Sequence, residues 1–295
     1  MPDGPLGFRI NHAGKSLGVL FTEDIFPSRF GLSDGITYSE WVESHLLQPF
    51  VFIRVRNKFT AQVSEELEAK GIVARPTTLS NAFSFAENTD LQSLDSFKNG
   101  LFEIQDLSSQ MVCENLPVKI GASWWDCCSG SGGKSLLMAD RFPETSILCS
   151  DIRPSIMENL NERVRKAQIK NITSRLMDAS KEIPGPDLFD GVMVDAPCSG
   201  SGTWRRNPEN LSFFDESMVS TYQGMQLSIL QNVNRSLKKG GFLVYITCSV
   251  FRAENEDVIA IFTDNFDYQV LAQSVLAGFS NNSDCMFVTV LEKRI

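Results

Sequence analysis

The chain has 295 residues, 42% of them hydrophobic and 21% charged, with 27 basic against 36 acidic side chains for a net charge of −9. That is a globular composition, long enough for two domains, and it argues against a general nucleic-acid coat protein while leaving room for a local basic groove. No apolar run reaches the ~20 residues of a membrane span, no basic-then-apolar leader opens the chain, and seven cysteines with no C-x-x-C pair and only two histidines, His12 and His45, leave little for a zinc site. The expectation is a reduced, cytoplasmic monomer with no membrane partner.

Residues 1–36 have weak periodicity and read as an irregular extension or the remnant of a longer region. A short helix around 38–47, a strand over 50–56, a helix near 60–70 stopped by Gly71 and a strand over 81–86 outline a small α+β domain, residues 1–100. Asn99-Gly100 marks the turn that closes it. From Leu101 to residue 295 strands and helices alternate. Strands are expected at 101–105, 123–127, 146–150, 173–177, 189–194, 241–246 and 285–291, and helices at 107–115, 133–141, 154–168, 215–238 and 254–264. Apolar strands joined by helical crossovers indicate a doubly wound, mostly parallel α/β sheet. Arg54, Arg56 and Lys58 alternate along a strand-like run, and Arg163, Arg165, Lys166, Lys170 and Arg175 sit in a segment free of acids. Each group has two readings, a structural or solvated face and an RNA contact.

The stretch Trp124-Trp125-Asp-Cys-Cys-Ser-Gly-Ser-Gly-Gly-Lys-Ser135 runs from a strand through a glycine-rich loop into a helix. Gly130, Gly132 and Gly133 permit close backbone approach to a ligand. The next strand ends at Asp151, 21 residues after Gly130, where an acid accepts ribose hydroxyls in nucleotide-binding αβ folds or caps the following helix. Gly133-Lys134-Ser135 has the look of a phosphate-loop ending, but that motif needs glycine where Cys128 stands. Asp126 disfavours a pyrophosphate. Acids at successive strand ends, Asp126, Asp151, Asp178 and Asp195, suit the cationic, phosphate-free donor S-adenosylmethionine. Asp178 can reach the adenine amino group or simply start a loop.

Two apolar strands end in cysteine motifs, Asp195-Ala-Pro-Cys198 and Thr247-Cys248-Ser249. As fourth and fifth parallel strands they would be neighbours ~4.8 Å apart, with both thiols at the carboxyl edge where such folds bind ligands. Methylation at carbon 5 of a pyrimidine needs this arrangement. Carbon 5 is a poor nucleophile until a thiolate adds at carbon 6, and elimination of the thiolate later restores the ring. Asp195 can hold the base edge.

The chain resembles the Nop/Sun (RsmB-like) RNA cytosine-5 methyltransferases over roughly residues 50–295. The resemblance rests on Phe102-Glu-Ile-Gln-Asp-Leu-Ser-Ser-Gln110, the loop 126–135, Asp151-Ile-Arg153, Asp178-Ala179, Asp195-Ala-Pro-Cys-Ser-Gly-Ser-Gly-Thr-Trp-Arg-Arg-Asn-Pro208, and Tyr245-Ile-Thr-Cys-Ser249 with Glu254-Asn-Glu256. It implies that Cys248 is the nucleophile and that Cys198 assists product release; DNA cytosine methyltransferases use the Pro-Cys cysteine instead. It also implies that Cys128, Ser129, Gly130, Ser131, Gly132, Gly133 and Lys134 line the methionine part of S-adenosyl-L-methionine. Asp151 would take the ribose, Asp178 the adenine, and Asp195 the donor edge or the base. Lys134 is either a donor or base contact or a first-turn surface lysine. Arg205 and Arg206 would suit phosphates, and the small domain would lead RNA in. The family's loop reads Ala-Pro-Gly-Gly-Lys, whereas here Ser131 replaces the proline and makes the loop more flexible. The implied substrate is ribosomal RNA. Transfer RNA, and a non-catalytic RNA-binding ribosome assembly factor of the same fold, are the alternatives.

Overall fold

A computed structural model of the protein describes residues 31–114 and 116–294. The expected extension over 1–36 lies outside the described residues up to position 30. Four strands, β1 (Val51–Val55), β2 (Arg75–Pro76), β3 (Ala82–Phe85) and β4 (Phe102–Ile104), form an antiparallel sheet in the order β2-β3-β1-β4. Helix α1 (Tyr38–Ser44) precedes it, and α2 (Thr60–Ala69) and α3 (Asp95–Lys98) lie within it. Val63 and Leu67 are one turn apart on α2, and both bury against Ile53, Val55, Phe85 and Phe102. Gly71, with φ 66°, ends the run as expected.

Two boundaries differ from the sequence expectation. The strand expected at 101–105 does not open the parallel sheet; it is β4, paired with β1 through Ile53↔Ile104 and Val55↔Phe102. Phe102 belongs to the small apolar cluster, and the turn at Gly100 brings it there: a Cβ at Gly100 would meet the Lys166 backbone at 3.0 Å. In the other direction, α1 packs away from the small sheet. Trp41 and Val42 bury with Trp204, Val250 and Phe251, and Leu32 bridges Phe251. The segment 31–47 therefore braces the loop after Cys248.

The remaining helices are α4 (Leu107–Met111), α5 (Gly133–Arg141), α6 (Pro154–Lys166), α7 (Glu209–Phe213), α8 (Ser217–Val233) and α9 (Glu256–Asn265). The larger sheet comprises β5 (Ser123–Asp126), β6 (Ser146–Asp151), β7 (Ile172–Leu176), β8 (Phe189–Asp195), β9 (Leu237–Thr247), β10 (Tyr268–Ala277) and β11 (Cys285–Lys293), in the order β10-β11-β9-β8-β5-β6-β7. Strands β7 to β9 through β5 are parallel, and β11 runs antiparallel to β9. This is the doubly wound Rossmann-like sheet expected from the alternating pattern. The expected helix 215–238 ends at Val233, and α7 forms separately before it. Strand β10 had no counterpart in the sequence reading; as an edge strand it is largely exposed after Tyr268, so it lacks the alternation that marks a half-buried strand.

Strand alternation divides the two tryptophans of β5 between the faces. Trp125 packs with Ile229, Leu230 and Val233 of α8 and Val258 and Phe262 of α9. Trp124 packs with Leu137 and Met138 of α5 and Leu160 of α6. Gly191 of β8 makes room for it, because a Cβ there would lie 2.3 Å from the Trp124 indole. Winding reverses between β5 and β8, which sets the ligand crevice at their carboxyl ends.

Candidate active site

Apart from those of the loop, the sequence-derived site residues end a parallel strand or follow it closely, Cys198 coming three residues after β8. Asp126 ends β5, Asp151 ends β6, Asp178 follows β7, Asp195 ends β8 and Cys248 follows β9. The loop 127–132 crosses from β5 into α5. Gly132 caps α5 with a left-handed φ of 84°, and a Cβ there would press Leu160 at 3.1 Å, so glycine serves both the turn and the packing of α6. Gly130 is also left-handed, φ 53°, and its N–H donates to Asp151 Oδ2 at 3.1 Å. Ser129 donates twice to the Ser150 carbonyl, which ties the loop to β6. Arg163 donates to the Ser131 carbonyl at 2.7 Å and pairs with Glu103 at 2.7 Å, holding the proline-free loop from the far side. Cys128 is half-buried beside Cys127, whose thiol burial pushes up.

Strands β8 and β9 pair in register, Asp195↔Ile246, and the chain beyond each turns toward the other. Gly202 N donates to the Cys248 carbonyl at 2.8 Å, and the two sulfurs, Cys198 Sγ and Cys248 Sγ, stand 3.3 Å apart. The Cys198 thiol is held well above the usual range by its hydrogen bond with Cys248, by burial and by the charges of Cys248 and Glu254. Lys134 Nζ lies 2.6 Å from Asp195 Oδ2. Burial works against the lysine charge, but Asp195 outweighs it and raises its pKa, with smaller contributions from Cys113 and Cys248. Lys134 is therefore a buried site cation and not a first-turn surface lysine.

The acids differ in availability. Burial raises the carboxyl of Asp151, but Arg153 and the Gly130 N–H override it and hold it below the usual range. Arg153 is itself largely exposed and bonds both oxygens, so a ribose would replace it rather than find a free carboxylate. Asp178 is held low by Lys181 and Ser180. Asp126 is only 1% exposed and is pushed up to about 7 by burial, so it lies under the loop and presents no surface to a donor.

The basic residues are mostly structural. Arg54 and Arg56 both pair with Asp140 at 2.7 Å, joining the small sheet to α5. Lys166 sits 3.8 Å over the Phe97 ring. Arg206 bridges Asp106 and Asp284. Arg205 is 5% exposed, its three guanidinium nitrogens make no hydrogen bond among the described residues, and burial lowers its pKa. Neither arginine of the loop presents the free charge to a phosphate that its sequence position suggested. The sequence reading gave no role to Gln226 or Glu254, both fully buried behind the cysteine loops.

A doubly wound sheet with a glycine loop and acids along its carboxyl edge defines a Rossmann-like methyltransferase, here with two facing thiols. Residues 115–285 match the family described as 16S rRNA methyltransferase RsmB/F, and the chain belongs to that family. It is similar to the "Probable ribosomal RNA small subunit methyltransferase B" of Bacillus subtilis (strain 168), with 32% identity over 74% of this chain and 50% of that protein. It is also similar to ribosomal RNA small subunit methyltransferase B of Vibrio cholerae, with 26% identity over 87% of this chain and 58% of that protein. The chain thus spans about half the length of the curated relatives it matches. Among solved structures, a methyltransferase homolog protein from Pyrococcus horikoshii superposes with a TM-score of 0.76 at 23% identity, covering 89% of this chain and 92% of that one. NSun6 from the same organism, solved with SFG, superposes at 0.79 and 16% identity, covering 87% and 94%. These two establish the fold.

The family is one of S-adenosylmethionine-dependent methyltransferases, and the donor set here fits that group. Lys134 is the loop's one cation and is committed to Asp195, so no free charge awaits a phosphate. The open space beside Gly130, where a Cβ would meet only Arg153 at 4.0 Å, lies next to Asp151. Among the described residues, no helix is long and apolar enough to cross a membrane.

Proposed function

We propose that the chain methylates carbon 5 of a cytosine in RNA, with small-subunit ribosomal RNA as substrate, through a covalent bond between Cys248 and carbon 6 of the base. The observation that carries this reading is the pair of sulfurs 3.3 Å apart at the carboxyl edge, beside the Lys134–Asp195 ion pair. S-adenosylmethionine supplies an electrophilic methyl group when bound, and Cys128, Ser129, Gly130, Ser131, Gly132, Gly133, Asp151 and Asp178 would hold it. The target base leaves its stack to enter the edge. Asp195 keeps 30% of its side chain exposed and can accept from the exocyclic amino group of cytosine. Lys134 holds the Asp195 carboxylate at 2.6 Å and so orients the group that meets the base. The Cys248 thiolate adds to carbon 6 and makes carbon 5 nucleophilic; once carbon 5 has been methylated, its proton is lost to solvent and the Cys248–carbon 6 bond breaks. Cys198, its sulfur 3.3 Å from that of Cys248, would donate a hydrogen bond to the departing sulfur. The small sheet, which runs through β4 to Ile104 and is linked to α5 through Arg54 and Arg56, would lead RNA to this edge.

The decisive test is methyl transfer from S-adenosylmethionine to small-subunit ribosomal RNA. Cys248→Ala should abolish transfer, and full activity in that variant overturns the mechanism. Cys198→Ala should accumulate a protein–RNA adduct stable to denaturation, and the absence of adduct removes the release role. Transfer RNA in the same assay separates the two substrates, and a wild-type chain that binds RNA without transfer is an assembly factor.

A further inference from the structure

The two cysteine loops are 50 residues apart in sequence, yet their sulfurs stand 3.3 Å apart. Strand pairing brings the loops near each other, but it does not set that separation, because both cysteines lie beyond the last paired residues of β8 and β9, Asp195 and Ile246. The loops touch directly, Gly202 N–H donating to the Cys248 carbonyl at 2.8 Å and Val250 N–H to Ser201 Oγ at 2.9 Å, and a buried carboxylate ties the residue after each cysteine. Glu254 is 0% exposed and sits in the turn before α9. Its two carboxylate oxygens divide the work: Oε1 accepts from the Ser199 N–H at 2.8 Å, and Oε2 accepts from the Ser199 hydroxyl and the Ser249 hydroxyl, each at 2.5 Å. Ser199 follows Cys198 and Ser249 follows Cys248. Gln226 of α8 supports the same group, donating to Glu254 Oε1 at 3.4 Å and to the Pro197 carbonyl at 2.9 Å. Tyr245 fixes the backbone of Glu254 by donating to its carbonyl at 2.6 Å.

We propose that Glu254 is the positioning residue that sets the separation and orientation of Cys198 and Cys248, by accepting hydrogen bonds from the serine that follows each. This rests on the reading of the two cysteines as the reacting pair. Glu254 does not touch the base or the donor; it acts through the two serines. A carboxylate suits the place because it only accepts, so four donors can converge on it, whereas a glutamine offers one acceptor oxygen and an amide that must find acceptors. Charge-assisted hydrogen bonds are short and directional, which holds both loops in one geometry.

The test uses the full chain and two readouts. The first is kcat and KM for methyl transfer to small-subunit ribosomal RNA. The second is the rate at which diamide, a thiol oxidant, joins Cys198 to Cys248 as a disulfide, followed by peptide mass mapping, which reports sulfur separation without any methyl transfer. For Glu254→Ala we expect kcat to fall about 100-fold, as a 1 Å misplacement does, with KM held within about threefold. Disulfide formation should slow about tenfold, since it needs the sulfurs to reach bonding geometry. Glu254→Gln keeps the shape but only one acceptor oxygen, so it should recover part of both rates and rank between wild type and Glu254→Ala; Ser199→Ala and Ser249→Ala should each give part of the loss. A wild-type disulfide rate in Glu254→Ala, with the variant folded by its thermal transition, overturns the proposal. If the disulfide rate falls but wild-type protein methylates no RNA, the positioning role stands and the cytosine-5 reading falls.

Discussion

Asp126 ends the interior strand β5 directly beneath the glycine loop, and it makes the stability of this chain depend on pH in a defined direction. Its Oδ2 accepts from the Ser135 hydroxyl at 2.5 Å, while Oδ1 has no partner among the described residues. Burial is the main cause of its raised pKa, and the negative charge of Asp195 adds to it; Ser135, Lys134 and the Cys128 N–H oppose them, and the result is about 7. The unfolded chain has an ordinary aspartate near 3.9. The folded state therefore binds this proton more tightly, and the group's contribution is most favourable below about pH 4 and is lost as pH rises through about 7. Each unit of pH in that window removes about 1.4 kcal/mol, so the change between pH 5 and pH 8 is about 2 to 3 kcal/mol. Asp126→Asn is neutral throughout and lacks that slope. Urea unfolding followed by the fluorescence of the adjacent Trp124 and Trp125 measures it. The stability of the variant relative to wild type should rise by that amount between pH 5 and pH 8. Parallel pH profiles for the two proteins would refute a buried Asp126 that titrates near neutrality.

Gly191→Ala places a methyl 2.3 Å from the Trp124 indole and should destabilise the fold by about 1 to 3 kcal/mol in urea unfolding, as overpacked cores do; a neutral result would mean that Trp124 has room to move. Asp140→Ala strands Arg54, whose side chain is 3% exposed, and removes the partner of Arg56. The expected loss is about 3 kcal/mol, together with faster hydrogen exchange in Val51–Val55, where the small sheet joins α5. Exchange unchanged in β1 would show that the ion pairs do not join the two sheets.

The parts of this site legible in sequence were those carried by one local pattern. An apolar strand followed by Pro-Cys or Thr-Cys announces a thiol at a strand end, and doubly wound order then makes β8 and β9 neighbours, so Cys198 and Cys248 could be brought together before any coordinates. The glycine loop and Asp151 were legible for the same reason. The arginines were not, because a charged side chain looks the same in sequence whether it faces solvent or a buried carboxylate. Arg56 and Asp140 are 84 positions apart, Arg206 and Asp106 100, and only the folded chain pairs them. Strand β10 lacked a signal because an edge strand needs no apolar alternation.

Glu254 shows where such a reading stops for a physical reason. Its motif, Glu254-Asn-Glu256, was visible, but a carboxylate after a cysteine loop carries no role until it is known which donors it meets. In the folded chain, each of the three residues is spent on a different tie. Glu254 takes Ser199 and Ser249, Asn255 takes Thr247, Ser33 and the Ser249 carbonyl, and Glu256 takes Ser33 and Asp34. Three consecutive polar side chains thus fix the Cys248 loop to the Cys198 loop, to its own strand and to the segment before the small sheet. Beyond Ile246 few backbone bonds, Gly202 N–H to the Cys248 carbonyl at 2.8 Å among them, join the two loops, so the side-chain ties carry much of their rigidity. Polar groups buried this completely are stable only when all their partners are present, so the motif and the serines around it act as one unit.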